Sequence, residues 1–174
     1  FFTSGSEALV IDSSGRLLVG TSTSVATATG QGEAQFFGTQ GLHVRRGVNS
    51  AAGPQIAFGK TRAITDTAGT IVQSGDILGS IQFAGDDGTD LLSIGAQIKA
   101  EVDGTPGAND MPGRLGFFTT PIGTTTPVAA LYIRQNGKLE SDTTYAATTA
   151  NAANLHIDSG GFFLRSTSSA KYKT

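Results

Sequence analysis

Ser168 and Lys173 are the residues best placed to act as a nucleophile and its base. They lie within the run that ends the sequence, RSTSSAKYKT at 165–174. A Ser–Lys dyad works when burial lowers the pKa of the lysine, so that the neutral amine accepts the serine proton. A plain polar tail accounts for the same residues. The chemistry alone favours the tail.

Carboxylates gather at a predicted hairpin tip, where Asp86, Asp87 and Asp90 stand in the sequence GDDGTD. Calcium takes six to eight oxygen ligands, and an EF-hand loop would need a glutamate further downstream that this sequence lacks. A solvated hairpin tip explains the same acids. The sequence therefore predicts no metal site here.

Other motifs fall short of a recognisable site. Gly59-Lys60-Thr61 resembles the end of a phosphate-binding loop, but Pro54 stands where that loop requires glycine.

His43 and His156 each lie between apolar residues, as surface or interface histidines commonly do in strands. Fourteen acids are scattered along the chain, and glycoside hydrolysis needs two of them at a set separation, which a sequence cannot place. We predict no cofactor and no turnover enzyme.

Composition points to a thin core. Hydrophobic residues make up 38% of the chain and charged residues 15%, and 24 of the 174 residues are glycine. Such a chain favours short strands and tight turns, and oligomerisation is the expected compensation for a core of limited size. The net charge is −2 with acids and bases interspersed, which argues against a nucleic-acid surface. No apolar run approaches the ~18 residues of a membrane span, so no membrane insertion is predicted.

A sequence repeat organises the chain. ALVIDSSGRL at 8–17 matches ALYIRQNGKL at 130–139, and LHIDSGG at 155–161 is a weaker third copy. The triplet Phe-Phe-Thr also recurs, at 1–3 and 117–119. Modules in series are typical of fibres, and we interpret the chain as a piece of a longer modular polymer.

Alternation and turn residues predict an all-β, Gly/Ser/Thr-rich modular fold with at most one short helix, at 144–154. Turns are predicted at 13–15, 85–88 and 136–137, and a long ordered loop at 103–113. We expect three parts: the end of a preceding module (1–24), a fibre module (25–142), and a linker with a junction (143–174). The predicted strands are 8–11, 16–19, 34–46, 55–58, 70–73, 77–84, 91–102, 114–119 and 129–134.

Four passages together resemble a known family. TANAANLHIDSGG at 149–161 followed by RSTSSAKYKT at 165–174 is similar to the junction into the intramolecular chaperone of phage tail fibres and tailspikes, the S74 or endosialidase-type family. GDILGSIQF at 75–83 and EVDGTPGANDMPGRL at 101–115 resemble repeated modules in fibres of marine phages.

The resemblance implies a homotrimeric fibre whose chaperone registers three chains and is released by self-cleavage. In that family a serine opens the chaperone and a lysine follows five residues later, which Ser168 and Lys173 match. Cleavage would separate Thr167 from Ser168. Nearly the whole chaperone is missing from the sequence, so the junction is uncut, processing lies elsewhere, or Ser169 is the start.

The function predicted from this resemblance is host adsorption by an extracellular virion tail fibre. Its partners would be other tail proteins and a host surface glycan or outer-membrane protein. Loops on a rigid sheet carry recognition, so the candidate contact residues are Asp86, Asp87, Asp90, Asn109 and Asp110. The alternatives are a capsule-degrading tailspike enzyme and a bacterial trimeric surface adhesin.

Overall fold

The computed structural model describes residues 2–3, 6–7, 9–27, 32, 34–39, 42–64, 69–141, 155–157, 159 and 163–165. It divides the chain into two units, Phe1–Ser141 and Asp142–Thr174. Within the described residues every regular element is a strand, which confirms the predicted all-β fold. The predicted helix at 144–154 lies outside those residues, and the predicted domain boundaries stay predictions.

Of the strands among the described residues, ten belong to the first unit and two to the second. Those of the first unit are β1 (Phe2–Thr3), β2 (Ser6–Glu7), β3 (Leu9–Ile11), β4 (Leu17–Val19), β5 (Ala34–Phe36), β6 (Ile77–Gly85), β7 (Ser93–Val102), β8 (Gly113–Thr119), β9 (Val128–Ile133) and β10 (Leu139–Glu140). The second unit contains β11 (Leu155–Ile157) and β12 (Phe163–Arg165), which pair with each other as an antiparallel hairpin.

The largest sheet has five strands in the order β10-β9-β8-β7-β6, all antiparallel. Strands β3, β4 and β5 form a smaller sheet, in which β4 and β5 run parallel, and β1 pairs with β2. The order of the large sheet follows the order of the chain, because each connection is a turn or loop that returns the chain beside the strand it has just left.

The two faces of the five-stranded sheet differ in chemistry. Side chains alternate along a strand and directly opposed residues share a face. The pair Glu101 and Arg114 therefore lies on one face, while the pairs Ile98–Phe117 and Leu115–Ile133 lie on the other. One face is polar and carries charges, and the other is apolar; we call these the polar face and the apolar face.

The apolar face is incompletely covered by the first unit. The buried hydrophobic residues described are only four: Leu18, Val72, Val102 and Phe118. Several large side chains of the apolar face are instead exposed over a third or more of their surface, namely Ile81, Phe83, Leu115, Phe117, Ile133 and Leu139. In a single copy of this chain, much of the apolar surface that would ordinarily form a core is therefore exposed to solvent.

The sequence repeat is a structural repeat of one hairpin. In the first copy Gly15 N donates to Asp12 O at 3.0 Å, and in the second Gly137 N donates to Arg134 O at 2.8 Å. Both glycines have positive φ, +80° and +76°, which a side chain would disfavour. The third copy has the same register in its backbone. The equivalent pairs are Ile11–Leu17, Ile133–Leu139 and Ile157–Phe163.

Three predicted strands are wrong in extent or existence. The prediction for 34–46 is confirmed only at Ala34–Phe36, and the described residues of 55–58 and 70–73 are not in strands. The parts of these stretches that lie outside strands carry apolar residues in a strand-like pattern, but no described strand pairs with them. Pattern alone is therefore insufficient, because a strand exists only where a partner supplies hydrogen bonds.

Candidate functional site

The candidate site is a cleft at one end of the five-stranded sheet. Strands β6 and β7 are joined there by residues 86–92, and strands β8 and β9 by residues 120–127. We call the depression between these two connections the loop cleft; its volume is about 360 Å³. It is lined by Gly85, Asp86, Asp87, Ser93, Ile94, Gly95, Thr120, Pro121, Ile122, Gly123 and Thr124.

The carboxylates of the first loop hold that loop in shape. Asp87 Oδ2 accepts from the Ser93 hydroxyl at 2.8 Å, and Asp87 Oδ1 accepts from Thr89 N at 3.0 Å. These hydrogen bonds, the one from Ser93 first, lower the pKa of Asp87 below its ordinary value. Asp86 Oδ1 accepts from Gly88 N, and Asp90 Oδ1 from Leu92 N, both at 2.8 Å.

The carboxylates of this loop thus accept hydrogen bonds from backbone N–H groups of the same loop. Such Asx turns account for an Asp-rich hairpin tip without a bound ion. Within the described part of the chain, no three metal-ligating side chains come together.

The second loop presents an apolar tip on a fixed base. Thr120 N donates to Gly95 O at 3.0 Å, which attaches this loop to strand β7. Thr124 donates to Pro121 O through both its backbone N, at 3.2 Å, and its hydroxyl, at 3.0 Å. Between these anchors Ile122 is fully exposed. The cleft therefore combines the exposed apolar side chain of Ile122 with carboxylates and hydroxyls. Such a lining can contact a ligand that has both polar and apolar groups.

The remaining two predicted contact residues lie at the opposite end of the sheet. Asn109 and Asp110 belong to the 103–112 connection, which follows the end of β7, whereas the loop cleft lies at the start of β7. Strand β7 has ten residues, so roughly 30 Å separates the two ends. The structure does not bring the five predicted residues together. It splits them into one group of three and one of two.

The 103–112 loop is closely tied to the sheet. Asp103 Oδ1 lies 2.9 Å from Arg134 Nη2, Asp103 Oδ2 accepts from Gln135 N at 3.1 Å, and Asp103 N donates to Pro112 O at 2.8 Å. Asn109 adopts a left-handed φ of +58° in the turn closed by Gly107 and Asp110. This is the long ordered loop that the sequence predicts. The hydrogen bonds and the ion pair of Asp103, and those of the Gly107–Asp110 turn, are all made within this loop or to the sheet.

A charged ladder on the polar face was not predicted from the sequence. Buried Glu101 lies 3.1 Å from both Lys99 Nζ and Arg114 Nε, and Arg114 also faces Asp103. Burial by itself would lower the pKa of Arg114, but its hydrogen bond and charge interaction with Glu101 raise it overall. Arg134 continues the ladder.

Two aromatic rings lie beneath these cations. Phe118 and Tyr132 form an edge-to-face pair with centroids 5.6 Å apart. Lys99 Nζ sits 4.3 Å from the Phe118 centroid, and the guanidinium carbon of Arg114 sits 4.8 Å from that of Tyr132. Because the rings are already covered by cations, this cluster stabilises the sheet rather than offering a stacking surface to a ligand.

The other candidates from the sequence have no site geometry in the described residues. Ser168 and Lys173 lie outside them, and only the backbone of His156 is described. His43 is exposed, and Lys60 Nζ donates to the carbonyl of Thr61. No helix begins at Lys60, as a phosphate-binding loop would require.

Comparison with known proteins identifies the fold. No protein-family model and no curated protein matches the sequence. Among solved structures, the chain is similar to the carboxy-terminal domain of the bacteriophage T5 L-shaped tail fibre, at 14% identity over 83% of this chain and a TM-score of 0.58. It is also similar to the same domain solved with its intra-molecular chaperone domain, at 16% identity over 87% of this chain and a TM-score of 0.62.

The matched region spans 62% and 47% of the two T5 chains, respectively. At these identities the likeness shows a shared fold. In the described residues, no helix is long and apolar enough to cross a membrane.

Proposed function

We propose that this chain is part of a phage tail fibre that adsorbs the virion to its host as a homotrimer. The observation that carries the proposal is the fold shared with the T5 tail-fibre domain over more than four fifths of the chain. Repeated hairpins in one register agree with it, since serial modules are the usual construction of a fibre.

The two faces of the large sheet support the proposed homotrimer. Each copy exposes an apolar face with side chains such as Phe117, Ile81 and Leu139, and its polar face carries the paired charges of the ladder. Three sheets arranged around an axis, with their apolar faces inward, bury the first surface and leave the second in water. Closed cyclic symmetry of this kind repeats one interface until the ring closes.

Adsorption is assigned to the loop cleft. Each of its two connections is held by a hydrogen bond to strand β7, through Ser93 and Gly95, and Ile122 of the second connection is fully exposed. Three copies display three clefts at once, and effective concentration turns weak single contacts into firm attachment. The partners would be a host surface glycan or outer-membrane protein, together with neighbouring tail proteins.

The junction at the end of the sequence is assigned to chaperone release. One of the similar T5 structures is of the carboxy-terminal domain with its intra-molecular chaperone domain. By that analogy, residues 165–174 lead into a chaperone that registers three chains. Ser168 is the nucleophile and Lys173 its base for a single self-cleavage, with Ser169 as the alternative start.

The test uses protein produced from the complete reading frame. Sedimentation should give the mass of three chains, and the purified protein should compete with phage for adsorption to host cells. A stable, compact single chain at working concentrations would contradict the trimer. Release of oligosaccharide from host capsule would instead favour a tailspike enzyme. A C-terminal membrane-anchoring barrel in the reading frame would favour a bacterial adhesin.

A further inference from the structure

Residues 42–60 are exposed throughout, yet they carry hydrophobic side chains. Ile56 is 65% exposed and Phe58 58%. The hydrogen bonds of this stretch to described residues are two, Ala52 N to Ser50 Oγ at 3.4 Å and Lys60 Nζ to Thr61 O at 3.1 Å. Backbone groups that lack partners are costly once they are buried. If this stretch is buried in an assembly, its backbone groups, which have few partners among the described residues, need hydrogen bonds there.

The end of this stretch is fixed to the five-stranded sheet at two points. Phe58 lies directly over Gly79 of β6, where a β-carbon would stand 2.7 Å from Phe58 Cβ. Arg62 then makes a bidentate pair with Asp76, both N–O distances being 2.6 Å. Phe58 also lines a depression of about 320 Å³ on the apolar face, together with Leu78, Ile81, Ile98, Ala100 and Leu115.

Strand β6 is an edge of this sheet, and the other edge among the described strands is β10. Side chains two apart in a strand point the same way. Ile56 in a strand would therefore face the same side as Phe58. Because Phe58 lies over Gly79 of β6, the end of this exposed stretch adjoins the β6 edge.

We propose that residues 53–60, here called the arm, form a strand only in the assembled fibre, where the arm pairs with β10 of a neighbouring copy. In a ring of copies with apolar faces inward, the β6 edge of one sheet approaches the β10 edge of the next. The arm adjoins the first edge at Phe58, and in such a ring it therefore lies next to the second. There Ile56 covers Leu139 and Ile133 of the neighbour, which are 48% and 37% exposed in a single copy.

Local sequence suits this role. Pro54 disfavours the helical region for Gly53 and keeps the start of the arm extended. None of the described residues from 42 to 60 has a positive φ, so each can enter a strand. Addition of a strand to a free sheet edge supplies main-chain hydrogen bonds, while alternate side chains fill the pocket beneath. The proposal rests on the trimer proposed above, and it names the segment that links its subunits.

Cysteine cross-linking tests whether the arm contacts β10 of a neighbouring copy. The chain has no cysteine of its own, so only the introduced residues react. The variant combines Ile56→Cys with Leu139→Cys, is produced from the complete reading frame, and is treated with a short bis-maleimide. We expect covalent dimers and trimers on a denaturing gel. The matched control combines Ile64→Cys with Leu139→Cys. Ile64 is fully exposed but lies beyond the Arg62–Asp76 pair, so we expect single chains.

Sedimentation before cross-linking separates the two proposals. If the test variant is a trimer but gives only single chains or internal links on the gel, the proposed pairing of the arm is wrong. The proposed fibre function is unaffected by that result. Monomers of the unmodified protein overturn both. If Ile56→Cys prevents assembly, Gln55→Cys with Leu139→Cys keeps the apolar contact and must give the same interchain bands for the arm to survive.

Discussion

Arg114 Nε lies 3.1 Å from Glu101 Oε2 across strands β8 and β7, and Glu101 is only 6% exposed. The same carboxylate pairs with Lys99 on its own strand. Two cations of the polar face, Lys99 and Arg114, are thereby held by one buried acid. Removal of a partner from such a group leaves the others desolvated and unpaired.

Glu101→Gln should therefore destabilise the protein strongly. We expect a loss of about 3 kcal/mol in the free energy of unfolding, the range found when one member of a buried ion pair is removed. Urea unfolding at fixed protein concentration measures it, because stability of an oligomer depends on concentration. Glu140→Gln is the control; that carboxylate is 41% exposed, and we expect a change below about 1 kcal/mol. Equal losses of unfolding free energy in the two variants would contradict the central role of Glu101 in the charged ladder.

Gly116→Ala should disrupt the aromatic pair. A β-carbon at Gly116 would stand 2.6 Å from Phe118 Cε2 and 2.8 Å from Tyr132 Cε1, so one ring must move. Overpacking of this kind costs about 1–3 kcal/mol. Gly95→Ala is the matched control in strand β7, where the nearest atom is Phe83 O at 3.7 Å. Thermal unfolding of both variants should show a clear decrease for Gly116→Ala alone.

The Arg62–Asp76 pair should make stability depend on acidity. The hydrogen bonds from Arg62, and then from Gln73 N, hold the pKa of Asp76 well below its ordinary value of 3.8. A carboxyl with a depressed folded-state pKa stabilises the fold fully above its unfolded pKa, and that contribution is lost as pH falls toward the folded one. Asp76→Asn should therefore lower stability near neutrality and flatten the decline below about pH 4, the region of the unfolded pKa.

Urea midpoints measured from pH 2 to 6 show that slope. Arg62→Gln should change it in the same direction, since it removes the principal stabilising partner of the carboxylate. A decline in Asp76→Asn as steep as in the unmodified protein would assign the acid sensitivity to other groups.

Ile122→Asp should weaken adsorption if the loop cleft contacts the host. Truncation of a central contact residue commonly costs more than 1 kcal/mol, and we expect competition with phage to weaken about tenfold. Met111→Asp is the control, an exposed apolar residue at the opposite end of the sheet. Both variants should remain trimers by sedimentation. A larger loss for Met111→Asp would move the contact surface to the 103–112 loop.

Ser168→Ala should abolish cleavage at the junction in protein produced from the complete reading frame. A single uncleaved band on a denaturing gel is the expected result, because the dyad loses its nucleophile. Ser169→Ala is the control and should still be cleaved. Cleavage that persists in Ser168→Ala and stops in Ser169→Ala would identify Ser169 as the first residue of the chaperone.

Much of the large sheet was predictable from local pattern. Ile98 to Val102 alternate between apolar and charged residues, and strand β7 contains them as expected. The Asn-Gly sequence at 136–137 gives the predicted turn, in which Gly137 has positive φ. The tight turn predicted at 85–88 is instead a longer loop, residues 86–92, although Gly88 has the expected positive φ. These features depend on neighbours in sequence, so the chain determines them before it folds.

The failures have one physical cause. Gln55 to Phe58 alternates like a strand, yet in one copy no described strand pairs with it. The pattern describes the side chains correctly but does not supply a hydrogen-bonding partner. Similarly, Glu101 and Arg114 are thirteen residues apart, and only their register across β7 and β8 makes them a pair.

The amino-acid sequence by itself determined that this protein is all-β, built on a repeated hairpin and short of apolar residues for its length, since composition and turn chemistry act locally. Only the tertiary structure decided that Asp87 and Asn109 lie at opposite ends of one sheet, and that the charges of its polar face form a single ladder. Those relations depend on which strands pair and in what register, and that is settled by contacts between residues far apart in the chain.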